Sequence, residues 1–131
     1  MVSSQQSHTS DLTVDVAWDE NRTIERMGGS KPLIQKLVTL FLRDTPEQLK
    51  QALAGIELQD YEASYISMHS LKGTSSNFCT KYVESTCADL LVALKDRDWT
   101  QALIAHKKLA DEYLTLELQF KTFLSSDLNS E

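Results

Sequence analysis

The sequence predicts an all-α protein, an antiparallel four-helix bundle with a short additional N-terminal helix. Three observations carry this expectation. Only four glycines and two prolines punctuate 131 residues, which favours long helices over a fold of many strands and turns. Apolar residues make up 41% of the chain and recur at three- and four-residue spacing along four long segments. Each segment carries an apolar stripe rather than an apolar circumference, as helices sharing one core require. A chain of this length is expected to be one domain.

The elements follow in order. Residues 1–16 are rich in Ser, Gln and Thr and read as a flexible tail or linker remnant. The bundle is placed at residues 17–125, and residues 126–131 read as a frayed C-terminus. Trp18 to Met27 is predicted as a short helix stopped by Gly28-Gly29. Ser30 is a good N-cap, and Pro32 is tolerated in the first turn that follows. Leu33, Ile34, Leu37, Val38, Leu40 and Phe41 then recur at helical spacing. Pro46 lacks an amide proton for the helical ladder and is expected to interrupt or kink this helix, whose stripe resumes at Leu49, Leu53 and Ile56. Asp60 caps the next helix. Another helix is expected over Lys81–Lys95, with Val83, Cys87, Leu90, Leu91 and Leu94 inward. Asp98 caps the last, whose stripe is Trp99, Leu103, Leu109, Tyr113, Leu116, Phe120 and Phe123.

Composition excludes several functions. A net charge of −6 argues against nucleic acid as the main partner. No apolar run reaches about 18 residues, so no membrane span is expected. The first sixteen residues lack the hydrophobic stretch of a signal peptide, which predicts a cytoplasmic protein with both cysteines reduced. Cys79 and Cys87 lack Cys or His neighbours at metal-ligand spacing, so no metal site is expected. The chain has no Walker A loop, kinase glycine loop or G-x-S-x-G elbow, so it is expected to have nothing with which to bind ATP, and Ser75, Ser76 and His69 make no recognisable hydrolase triad.

The chemistry concentrates in His69-Ser-Leu-Lys-Gly-Thr-Ser-Ser76. Helix residues turn by roughly 100°, which places Leu71, Phe78, Ser67 and Thr74 opposite His69, with Ser64, Ser75 and Met68 beside them. His69 should therefore face solvent from mid-helix, sharing its side with Glu62, Tyr65, Gly73 and Ser76, and with Ile66 and Lys72 at the borders. Lys72 at i+3 and Gly73 at i+4 are its surface neighbours. A neutral imidazole is a nucleophile, and an unperturbed one with a pKa of about 6.5 is mostly neutral near pH 7. Phosphoryl transfer needs in-line approach and cancellation of charge on the equatorial oxygens. Lys72 can supply that charge, and Gly73 leaves the imidazole uncovered. A mid-helix glycine costs about 1 kcal/mol relative to alanine, so its presence on an exposed face calls for a reason. Ser76, one turn further, is a candidate to hydrogen-bond a phosphate or orient the ring. The bland reading makes each of these an ordinary surface residue. His106 is a poorer candidate, since it falls among Trp99, Leu109 and Tyr113 and has Leu109 at i+3; His8 lies in the tail.

His69-Ser-Leu-Lys72-Gly73-Thr-Ser-Ser76 resembles the H-x-L-K-G-[ST]-[SA] core of histidine-containing phosphotransfer (HPt) domains. The resemblance extends to Leu40-Phe41 with Pro46 and Leu49, to Asp60-Tyr-Glu-Ala, and to Asp98-Trp-Thr-Gln-Ala102, covering roughly residues 18–124. The chain departs from the pattern at Cys79-Thr80, where the family commonly has Gly-Ala, and at Leu90-Leu91, where a Leu-Glu pair often ends the helix.

The resemblance implies a phosphorelay intermediate. His69 would be the phosphoacceptor, passing a phosphoryl group between aspartates of receiver domains, with Lys72, Gly73 and Ser76 assisting. Glu62, Tyr65, Ile66, Lys72, Gly73 and Ser76 would meet the partner. The chain would need no cofactor of its own, and Mg²⁺ would sit on the receiver. Partners would be response-regulator receivers and a sensor or hybrid histidine kinase, met by a monomer. Two other classes stay open: a helical adaptor that binds receivers without transfer, and the phosphoacceptor domain of a larger kinase.

Overall fold

The computed structural model describes residues 18–129, with side chains through Ser126; the tail expected at residues 1–16, and with it His8, lies outside them. The described residues form α1 (Glu20–Arg26), α2 (Lys31–Glu57), α3 (Tyr61–Ser76), α4 (Lys81–Lys95) and α5 (Trp99–Asn129). Helix α2 packs on α3, α3 on α4, α4 on α5, and α5 returns to α2, which closes the bundle; α1 rests on α2. Short turns at 58–60, 77–80 and 96–98 make neighbours antiparallel. No described helix is long and apolar enough to cross a membrane.

Side chains cap four of the five described helices, at Ser30, Asp60 and Asp98 as expected, while Thr80 before α4 makes no such bond. Asp19 accepts from the Arg22 amide, Ser30 from Leu33, Asp60 from Ala63 and Asp98 from Gln101. The ends of α2 and α4 close in the same way. The Gln59 amide donates to Ile56 O and the Asp60 amide to Gly55 O; Arg97 donates to Leu94 O and Asp98 to Ala93 O. The middle residue of each turn is left-handed without being glycine, at φ 55° for Gln59 and 56° for Arg97.

Two expectations need correction. Pro46 does not interrupt α2, which runs 27 residues through it. The proline is exposed, so water can serve the carbonyl that its missing amide leaves free. Leu103 is not inward, being 43% exposed. The buried register of α5 runs instead through Ala102, His106, Leu109, Tyr113, Leu116, Phe120 and Phe123, one residue out of phase with Leu103. Trp99 is half-buried.

Aromatic residues fill the end of the core nearest α1. Phe41, Phe78 and Phe120 meet pairwise with centroids 5.0–5.5 Å apart. Trp18 stands edge-on to Phe120 and Phe123 at 4.7 and 5.2 Å. Its indole donates to Thr23 Oγ1 (2.9 Å), which in turn donates to Phe78 O (2.7 Å). This relay fastens the N-terminal segment to the end of the histidine-bearing helix.

Candidate functional site

Helix α3 presents two unlike faces. Inward it buries Ser64, Ser67, Met68, Leu71 and Ser75. The small hydroxyls bond their own helix, Ser67 Oγ to Ala63 O (3.2 Å) and Ser75 Oγ to Leu71 O (2.7 Å), so they bring no unmet polarity inward. Small size also lets α2 approach. A Cβ on Gly55 would lie only 2.9 Å from the Ser64 amide nitrogen.

Outward, the same helix shows His69 to solvent. No hydrogen bond from a described residue reaches either ring nitrogen. The imidazole stacks on Tyr65, four residues earlier, with centroids 5.8 Å apart and planes 30° apart. On its other side Gly73 opens the surface, since a Cβ there would meet nothing within 4 Å. Side chains on a helix lean toward its N-terminus, so residue 73 is the one whose side chain would lie over His69. Lys72 is exposed and makes no ion pair among the described residues. Its charge reaches α4, where it works against the rise of the Cys87 thiol; burial, reinforced by Glu112 and Glu84, still pushes that thiol up to about 12.

The remaining expected residues divide. Ser76 is half-buried, and its hydroxyl donates to Gly73 O (2.9 Å), while its carbonyl accepts from Arg26 Nη1 (3.2 Å). Its proton is therefore held by its own helix. Glu62 is exposed. Ile66, 67% exposed, and Leu58, 79% exposed, flank a shallow groove between α2 and α3 that Gln51, Ala54 and Ala63 also line. Tyr65 faces His69 rather than open water. His106 is buried, and its Nε2 donates to Leu49 O at 2.8 Å, which ties α5 to α2.

Sequence reasoning missed three residues. Tyr61 stacks on Tyr65 at 5.2 Å, Arg97 covers the Tyr61 ring at 3.7 Å, and Lys95 lies 6.0 Å from the Tyr65 ring. Tyr61 was legible as the i−8 member of the His69 line. The two cations come from the far end of α4 and its turn, and no local spacing announces them. Among the described residues no group of three or more His, Cys, Asp or Glu is arranged to hold a metal.

The Hpt domain model matches residues 36–121, more than half of the chain. The chain belongs to the Hpt domain family. Its role is histidine phosphotransfer in two-component signalling. Solved structures share the fold. A histidine-containing phosphotransfer protein from maize, ZmHP2, superposes with a TM-score of 0.79 at 20% identity, covering 96% of each chain. Phosphotransfer protein B (HptB) of Pseudomonas aeruginosa PAO1 gives 0.74 at 21% identity, over 81% of this chain and 92% of its own. The HPT domain of a sensor hybrid histidine kinase from Shewanella gives 0.73 at 18% identity, over 83% and 94%. No curated protein sequence matches the chain significantly.

Within this Hpt domain the family's Gly-Ala position is occupied by Cys79-Thr80. Cys79 has φ 53°, so the backbone keeps a conformation that glycine adopts freely while the side chain has changed. Helix α3 ends at Ser76 all the same, and the Thr80 hydroxyl donates to Ser75 O (2.8 Å) to close the turn.

Proposed function

We propose that His69 carries the phosphoryl group, accepting it from an aspartyl phosphate on one receiver domain and yielding it to an aspartate on another. The observation that supports this is an exposed imidazole with neither nitrogen hydrogen-bonded to a described residue, beside a glycine with open space above it. In the forward step the lone pair of the outer ring nitrogen, Nε2, attacks phosphorus in line. An N–P bond forms as the O–P bond breaks, and the aspartate leaves as a carboxylate with the bonding pair. The ring proton stays on Nδ1, so the positive charge gained by the imidazole offsets part of the phosphoryl charge. Transfer to the second aspartate is the reverse.

Lys72 faces the same water as His69 and supplies positive charge to the equatorial oxygens. Gly73 admits the receiver surface. Ile66, beside Leu58, offers apolar contact, with Glu62 at the rim; the interface is small and transient. In this reading Mg²⁺ belongs to the receiver, where it offsets charge around the aspartate. Ser76 contributes less than its spacing implies, because its hydroxyl proton is already held.

His69→Gln tests the assignment. The variant should fold as wild type does and take no label from a phosphorylated receiver domain. Acid-labile phosphate retained in that variant would overturn it.

A further inference from the structure

The stacked pair on α3 carries an inference that rests on the reading of His69 as phosphoacceptor and goes beyond it. An imidazole on a bare helix surface rotates about χ2, and its lone pairs sweep a wide arc. A nitrogen lone pair lies in the ring plane, so contact on a ring face leaves the nucleophile free while fixing the plane in which it points. Tyr65 makes such a contact, at 5.8 Å and 30° between planes. It is itself held from behind: Tyr61 packs against it at 5.2 Å, and Arg97 closes the stack over Tyr61 at 3.7 Å.

The arrangement is one-sided. His69 leans back over Tyr65 as helix geometry directs, while the residue that would lean back over His69 is a glycine. One face of the ring is backed and the other is open. Arg97 is also an unusual residue for its turn, since φ 56° favours glycine. Its side chain donates to Leu94 O (3.3 Å) and Lys95 O (3.1 Å) and covers Tyr61, so a single residue both closes α4 and anchors the stack.

We propose that Tyr65 is a positioning residue for phosphoryl transfer, setting the plane of the His69 imidazole so that its lone pair meets phosphorus in line. Productive attack requires alignment as well as contact, and small misplacements of a reacting group lower rates substantially.

The test compares wild type, Tyr65→Ala, Tyr65→Phe and His69→Gln in the full chain. The donor is a receiver domain, phosphorylated with acetyl phosphate and chosen because it labels the wild-type chain. Phenylalanine keeps the stack and alanine removes it. Tyr65→Ala should lower the maximal transfer rate by about tenfold with KM little changed, and Tyr65→Phe should restore it. Nuclear magnetic resonance supplies a readout independent of transfer. The His69 ring protons should be shifted upfield by the tyrosine ring in wild type and Tyr65→Phe, and should return to the free-histidine position in Tyr65→Ala. A higher KM with an unchanged maximal rate would make Tyr65 a docking contact and overturn the proposal, as would an unchanged rate in Tyr65→Ala. Label persisting in His69→Gln would instead overturn the phosphoacceptor assignment, so the two failures are distinct.

Discussion

His69 and His106 are the same side chain on two helices of one bundle, and their surroundings are opposite. His106 lies on the buried register of α5, where Nε2 is spent on the Leu49 carbonyl at 2.8 Å. His69 lies on the exposed line of α3, with no hydrogen bond to its ring from the described residues and a glycine at i+4. Exposure here follows from helical phase: a shift of two residues along either helix would exchange a buried, hydrogen-bonded ring for one open to solvent. Substitution at both sites gives the largest expected contrast. His69→Gln should lose all labelling and change stability by no more than about 0.5 kcal/mol, as for other exposed positions. His106→Leu should keep labelling and lose about 1–2 kcal/mol in urea unfolding, because the hydrogen bond between α5 and α2 disappears. Labelling lost in His106→Leu under conditions where it remains folded would break the comparison.

Two glycines repeat the lesson with a smaller effect. Gly55 is buried where α2 crosses α3, and an added methyl would press on the Ser64 amide at 2.9 Å. Helix backbone must move to admit it, so Gly55→Ala should lose about 1–3 kcal/mol. Gly73 sits in open space, and Gly73→Ala should gain about 0.5–1 kcal/mol from helix propensity alone. The gain should coincide with slower phosphotransfer, and a larger residue such as glutamine should slow it further. Equal transfer rates for Gly73→Gln and wild type would remove the steric role while leaving the stability argument standing.

How much of this was legible in the sequence depended on whether the information was local. Helix order, the caps at Ser30, Asp60 and Asp98, and the outward phase of His69 all follow from spacing along one chain segment, and all are present. Near the start of α5 spacing alone favours the wrong phase, because Leu103 and Ala102 are adjacent and the larger apolar residue is expected inward; the crowded core takes the alanine. The interruption expected at Pro46 is absent because the rule concerns a lost bond, while the outcome depends on which face loses it. The cations over Tyr61 and Tyr65, and the close approach at Gly55, are contacts between helices. No pattern within a single segment reports them.

The smallest contrast concerns two turns with one backbone shape. Cys79 and Arg97 both sit at left-handed φ, 53° and 56°, immediately before the N-terminal cap of the next helix. Any residue with a Cβ is strained there by about 1–2 kcal/mol relative to glycine. Arg97 recovers much of that through its bonds to Leu94 O and Lys95 O and its cover of Tyr61. The half-buried Cys79 thiol has no hydrogen-bond partner among the described residues that would offset the strain. Cys79→Gly should therefore stabilise the bundle by about 0.5–1 kcal/mol, after the greater freedom of glycine in the unfolded chain is subtracted. Arg97→Gly should bring no gain, since relief of strain is matched by loss of the cation–π contact and both hydrogen bonds. Urea midpoints at constant slope measure both. Equal gains in the two variants would mean that the Arg97 side chain contributes nothing, and would weaken the case that it anchors the stack behind His69.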